Sequence, residues 1–356
     1  MRIGYRLLGT FFFLFSFLIG APFTEITAFG SDVEALKHPD EKHIKNIKQL
    51  TFGGENAEAY FSFDGKELVF QSTRNGYKAD QIYTMNLDGS GVQMVSTGKG
   101  RYTCSYFLPD GEILFSSTHH YNPEPPPPPD RSKGYAWPIY SSYDIFVAGK
   151  DGSNLQRLTN SWGYDAEATV SPLGDKIVFT SMRDGDLEIY TMNTDGSNVK
   201  RLTESLGYDG GAFFSPDGKR IVFRAYHLET PEETADYKKL LTEHLVKLSR
   251  LDIFVMDSDG KNKKWITNNG AVNFCPYFTH DGKKIIFSSN MDDPKGRNFD
   301  LYLINVDGTG LERITFHDDF DAFPMFSPDG KKLVWGSNRN SKARGETNIF
   351  IADWVE

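Results

Sequence analysis

Two series of side chains recur along the chain at fixed offsets from a repeated turn. Eight residues before each turn stand Asn56, Tyr102, Asp165, Asp209, Asn273 and Asp321. Four residues after the bulky aromatic that follows each turn stand Arg74, His119, Arg183, His227, Met291 and Arg339. An acid or amide beside a base in one unit can close an ion pair that merely fixes a loop. It can also leave unpaired charge for a polar ligand or partner, and both readings stay open here. His119, His120 and His227 suggest a metal, because imidazoles converging with a carboxylate suit zinc or manganese. They fall in alternate units, however, so no metal or other cofactor is expected. The candidate ligand- or partner-binding set is Asp165, Asp209, Asp321, Arg74, Arg183, Arg339, His119 and His227, with Tyr164, Tyr208 and Trp137 beside them. No catalytic residue is assigned, because no nucleophile elbow, HExxH, phosphate loop, dinucleotide fingerprint or CxxC pair occurs. A metal-assisted lyase or hydrolase working through His119, His227 and the carboxylates is the alternative.

The elements that position these residues are short strands. Gly163 to Thr203 reads as four runs rich in β-branched and aromatic residues, ATVS, KIVFTS, EIYTMN and VKRLT, separated by turn-forming PLGD and TDGS and by a looser MRDGDL. This is a four-stranded antiparallel meander. Its inner turn recurs at Asp64, Asp110, Leu173, Asp217, Asp281 and Asp329, and a second Asp-Gly turn at Asp88, Asp151, Asp195, Asp259 and Asp307. A last strand ending in a hydroxyl closes five units, at Ser96, Thr159, Thr203, Thr267 and Thr315. The sixth unit lacks one, whereas IKQLT, ending at Thr51, stands alone before the first. A sheet of this size cannot hide its own edges, and sharing strands between first and last units closes a ring. The expected fold is all-β: a six-bladed propeller of four-stranded antiparallel blades over residues 47–356, its N-terminal strand completing the last blade. The Asp-Gly turns are hairpin turns rather than calcium loops.

Two units depart from the pattern at one place, between their second and third strands. Residues 118–142 carry a polyproline run from Pro125 to Pro129 among Tyr121, Tyr135, Trp137, Tyr140 and Tyr143, either a recognition surface or a stiff excursion over the blade. Residues 228–250 carry a helix start, with Thr230 as N-cap, Pro231 at the first position and Glu233 closing a capping box. Tyr237, Leu240, Leu241, Leu245 and Leu248 form one stripe, which predicts an amphipathic helix of about four turns, a lid or padding on the rim. Both insertions leave the face opposite the Asp-Gly turns. That face also bears the inter-blade connections, and binding is expected there.

Residues 1–30 read as a secretory signal peptide: basic MRIGYR, apolar LLGTFFFLFSFLIG, then Ala28-Phe29-Gly30 as a small-x-small site. Residues 31–46 are polar and expected to be loosely ordered. A periplasmic or secreted monomer with no membrane span after cleavage follows, without a further catalytic domain. Cys104 and Cys275 occupy equivalent places three units apart, beyond the reach of a disulfide, so two free buried thiols are expected. The formal charge of −9 and the lack of any long basic run argue against nucleic acid.

FSPDGKRIVF (Phe214 to Phe223) and SMRDGDLEIYTMNTDGSNVKRLT (Ser181 to Thr203) resemble the repeat of TolB-like propellers, also called WD40-like or PD40 repeats. The resemblance spans about Ile47 to Glu356. It implies a six-bladed propeller, usually of the Gram-negative periplasm, that docks an envelope lipoprotein at its channel mouth; the expected function is non-catalytic binding of an envelope protein, peptide or glycan on the face carrying the insertions and channel mouth. It also implies a related lyase architecture, whose central metal and histidine cluster have no convincing match here.

Overall fold

In every blade the second strand sets a bulky aromatic directly opposite another on the third. The pairs are Phe70 with Tyr83, Phe115 with Phe146, Phe179 with Tyr190, Phe223 with Phe254, Phe287 with Tyr302 and Trp335 with Phe350. Their ring centroids lie 5.6 to 6.1 Å apart. Directly opposed aromatics stabilise a strand pair, and their large flat faces fill the space between neighbouring blades.

The computed structural model describes residues 36–128, 136–247, 249–293, 296–318 and 320–356. The expected leader, Pro129, Tyr135 and Leu248 lie outside them. Six four-stranded antiparallel sheets are present. From the axis outward, blade one is Asn56–Phe61, Glu67–Ser72, Gln81–Asn86 and Gln93–Met94. The inner strands of blades two to six are Tyr102–Phe107, Asp165–Val170, Gly207–Phe214, Asn273–Phe278 and Asp321–Phe326. The ring closes as expected. Ile44–Gln49 lies beside Asn348–Trp354, with Lys48 opposite Ile351, Gln49 opposite Phe350, and the Leu50 N–H donating to the Ile349 carbonyl at 2.8 Å.

The hydroxyl that ends each outer strand has a physical reason. Thr159, Thr203, Thr267, Thr315 and Thr51 each accept a backbone N–H from the third strand at 2.9 Å, and Ser96 does so at 3.0 Å. Most also donate to the first side chain of that strand, as Ser96 does to Gln81 at 2.8 Å, Thr267 to Asp252 at 3.0 Å and Thr159 to Asp144 at 3.2 Å. In three blades an outer-strand arginine braces the same acid: Arg157 with Asp144, Arg201 with Glu188 and Arg313 with Asp300, at 2.6 to 2.7 Å. The outer strand is only two residues long in five blades. These side-chain bonds supply the anchoring that so short a ladder lacks.

Three expectations are corrected. The helix is Pro231–Thr242, three turns rather than four. His244, at φ 57°, reverses the chain, so that Leu245 leaves the helical stripe and Leu245–Val246 pairs with Trp137–Pro138 of the other insertion. The capping box at Thr230 and Glu233 is present, and Tyr237 is the helix's buried residue. From Leu36 onward the polar N-terminal segment is packed rather than loose: Leu36 and Glu41 are buried, and the first strand begins at Ile44 rather than Ile47. Finally, both cysteines are free, but Cys104 is only partly buried.

Candidate functional site

Each inner strand contains the same interruption. Two residues after it begins, or four in the longer strand Gly207–Phe214, the register slips by one against the second strand, and the residue at the slip adopts left-handed backbone: Glu58 (φ 51°), Cys104 (50°), Glu167 (56°), Gly211 (56°), Cys275 (52°) and Phe323 (57°). Such a bulge re-aims a side chain, and for any residue but glycine the conformation is strained. All six positions line one axial cavity of about 1210 Å3.

The walls of this cavity are chemically divided. On one side Glu167 takes hydrogen bonds from Arg224 Nη2 (2.6 Å), the Tyr208 hydroxyl (2.9 Å), Thr180 Oγ1 (2.7 Å) and the Gly211 N–H (2.9 Å). Arg224 is held in turn by the Tyr208 hydroxyl at 2.8 Å and covered by the Trp137 ring at 5.1 Å. A Cβ on Gly211 would meet the Arg224 guanidinium at 2.5 to 2.6 Å, which explains the glycine at this one slip. The opposite side is aromatic, with Phe274, Phe299, Phe320 and Phe323 packed at centroid distances of 5.1 to 6.4 Å. At the far end Tyr60, Tyr106, Phe213 and Tyr277 pack in tilted and edge-on contacts, the closest pair at 5.3 Å, and floor the channel. The mouth lies under the insertions, where Trp137, Lys247 and Ser249 meet Arg297 from blade five.

Glu58 differs from its neighbour across the channel. Burial pushes its carboxyl up to about 7, a rise reinforced by the Glu167 charge and opposed by Arg224 and by a hydrogen bond with the Cys104 thiol. It is half-buried and borders the channel. Among the described residues it has no ion-pair partner. Burial also raises both thiols, Cys104 and Cys275, well beyond the usual range.

The residues singled out from sequence occupy three settings. Asp165, Asp209 and Asp321, with Asn56, are fully buried rather than exposed at an open mouth. The expected partners meet them: Arg183 with Asp165 at 3.1 Å, His227 with Asp209 at 2.8 Å, Arg339 with Asp321 at 2.9 Å, and Arg74 with Asn56 at 3.1 Å. Arg74, Arg183 and Arg339 also lie over the aromatic pair of their own blade, and His119 packs on Phe146 at 4.6 Å. Asn56 borders the cavity, but none of the eight acidic, arginine and histidine candidates does. Trp137 and Tyr164 do, and Tyr208 stands just behind, bonded to Glu167. No group of three or more histidine, cysteine or acidic side chains suited to a metal occurs among the described residues. Sequence reasoning missed Glu58, Glu167, Gly211, Phe323 and Arg224.

Fold and site together define a six-bladed propeller whose axial channel is floored by aromatics and lined, one residue per blade, by side chains turned inward at a bulge. The sequence matches the family model described as the TolB beta propeller domain over residues 138–231 and 224–353, and the chain belongs to that family. No curated protein matches it. Among solved structures it is similar to TolB from Acinetobacter baumannii (18% identity, TM-score 0.55, covering 85% of this chain and 64% of that one). It is also similar to putative TolB from Agrobacterium tumefaciens (18%, 0.57, 87% and 97%) and to an oligogalacturonate lyase in complex with manganese (15%, 0.52, 87% and 93%). The chain thus spans less than two thirds of the Acinetobacter protein. At these identities the likeness concerns fold alone.

Proposed function

We propose that this chain is an exported propeller that binds an envelope protein, peptide or glycan through the axial channel, entered from the face bearing the insertions. One observation carries the reading: six blades spend a left-handed bulge at the same position, five of them on non-glycine residues, and all six side chains or backbones face one cavity. Left-handed backbone at a non-glycine residue costs on the order of 1 kcal/mol, and strain of this kind persists where a site uses the geometry. The leader expected from the sequence supports export. No helix among the described residues is long and apolar enough to cross a membrane.

Trp137→Ala and Phe299→Ala, each changing a side chain that borders the cavity, test the reading. Cross-linked complexes recovered from envelope fractions should lose a specific partner with both variants while their melting curves stay near wild type. Full retention by both would reject the channel as the site. The lyase alternative predicts stoichiometric manganese or zinc in the purified protein, which elemental analysis would detect.

A further inference from the structure

Exposed Lys247, Arg297 and Glu55 border the cavity, and none of the three has an ion pair among the described residues, whereas Asp80 on the same lining is paired with Arg101 at 2.7 Å. Further in, at the ring of bulges, Glu167 and Glu58 face the lumen. Glu167 is saturated: one cation, two hydroxyls and an N–H already fill its lone pairs. Arg224 is equally committed, to Glu167 and Tyr208. Glu58 has only the Cys104 thiol, a weak donor.

A carboxylate held in a partly dry channel by strained backbone is costly unless a cation meets it. Among the described residues that line the cavity, the cations are Arg224, engaged by Glu167 and Tyr208, and Lys247 and Arg297 at the entrance. The wall formed by Phe274, Phe299, Phe320 and Phe323 offers an apolar track beside the acid, suited to the hydrocarbon stem that carries a cation.

We propose that the channel binds a ligand bearing a primary ammonium group on an apolar stem, with the ammonium paired to Glu58, the stem laid on the phenylalanine wall, and a flanking acceptor or carboxylate met by Lys247 and Arg297. The inference rests on the channel being the binding site. A lysine side chain of a peptide and a free small amine share this chemistry.

The titratable and charged groups that act on Glu58 or are acted on by it are Cys104, Glu167, Arg224, Asp80, Tyr60 and Cys275. Arg224 is the one among them that lowers its proton affinity through charge, and burial outweighs it. Binding of an ammonium therefore demands loss of the Glu58 proton, and affinity should climb as pH rises through about 7.

Calorimetric titration of the mature chain tests this with matched probes: acetyl-Phe-Lys-Glu amide, the same peptide with norleucine in place of Lys, and phenethylamine as the small-amine arm. The lysine peptide should bind at pH 8 at least about tenfold more tightly than the norleucine peptide, and should weaken at pH 5.5. Glu58→Gln should erase both differences. Binding by phenethylamine as tight as by the lysine peptide would assign the site to a free amine rather than a peptide, within the same proposal. Equal binding of the lysine and norleucine peptides would overturn the ammonium assignment while leaving the channel a binding site. Binding by none of the probes, in a protein that still captures an envelope partner through Trp137 and Phe299, would overturn it as well. Loss of that partner capture as a dependence on the two side chains would instead sink the underlying reading.

Discussion

Arg339 joins Glu41 at 3.0 Å and Asp321 at 2.9 Å through one guanidinium nitrogen, and all three side chains are fully buried. A second nitrogen donates to the Leu36 carbonyl at 2.9 Å. The segment ahead of the closing strand is thereby fastened to the blade it completes. Arg339→Met leaves two carboxylates together without their cation, and removal of one partner from a buried pair costs about 3–5 kcal/mol. Glu41→Gln leaves Arg339 its bond to Asp321 and should cost clearly less. Urea melts of the two variants give the order, and an equal or reversed ranking would contradict the arrangement.

The outer-strand hydroxyl supports a second prediction. Thr159→Val keeps the shape but strands the Ile145 N–H and takes a donor from Asp144. A buried group left without its partner costs about 1–3 kcal/mol, so the melting temperature should fall. Hydrogen exchange at the Ile145 amide should quicken at the same time, and an unchanged rate there would argue against the bond.

Glu58 gives stability a pH dependence of defined sign. Its folded carboxyl titrates near 7, against an ordinary value of 4.5, so the folded state holds the proton more tightly than the unfolded chain. The resulting stabilisation is complete below about pH 4.5 and is lost as pH rises to about 7. Glu58→Gln removes this slope. Because the half-buried group borders the channel, the wild type should lose only about 1–2 kcal/mol relative to the variant between pH 4 and 8. Parallel denaturant titrations across that range would show it; parallel curves with no divergence would refute it.

Tyr237 bolts the inserted helix down, its single hydroxyl proton shared between Asp186 at 2.6 Å and the Gly207 carbonyl at 2.8 Å. Tyr237→Phe should cost about 1 kcal/mol and speed proteolysis within Pro231–Thr242 without altering exchange in the inner strands of the other five blades. Loss of protection spread evenly over the propeller would show that the helix is not an independent element.

Blade count and the displaced strand were legible because each rests on a signal repeated through the chain: an Asp-Gly turn, an aromatic in the second strand, and a hydroxyl at the outer end. Thr51, isolated before the first unit, located the closure by itself. The pairing of Arg183 with Asp165 and of Arg339 with Asp321 was equally readable from matched offsets. Their depth was not. Strict alternation would put Asp165 and Glu167 on one face, and the bulge between Ala166 and Thr169 breaks that alternation, burying the first and turning the second to the axis. The residues at that slip, two Glu, two Cys, a Gly and a Phe, share no chemistry that a repeat search could register. Only the equal offsets of Cys104 and Cys275 hinted at a common axis. The end of the helix was hidden for a related reason: Leu245 fits the apolar stripe, and a partner strand 107 residues away in sequence, at Pro138, decides its conformation.

The antiparallel seam between Ile44–Gln49 and Asn348–Trp354 also governs how the molecule would respond to mechanical load. Ile44 and Trp354 sit opposite each other at one margin of the sheet, so tension drawn through both flanking chain segments concentrates on that margin and peels the contacts in succession. A shear geometry would have shared the tension across the whole seam. The circle is therefore a zip with a catch, and the Arg339 cluster is the catch: while it holds, little of the pull reaches the teeth.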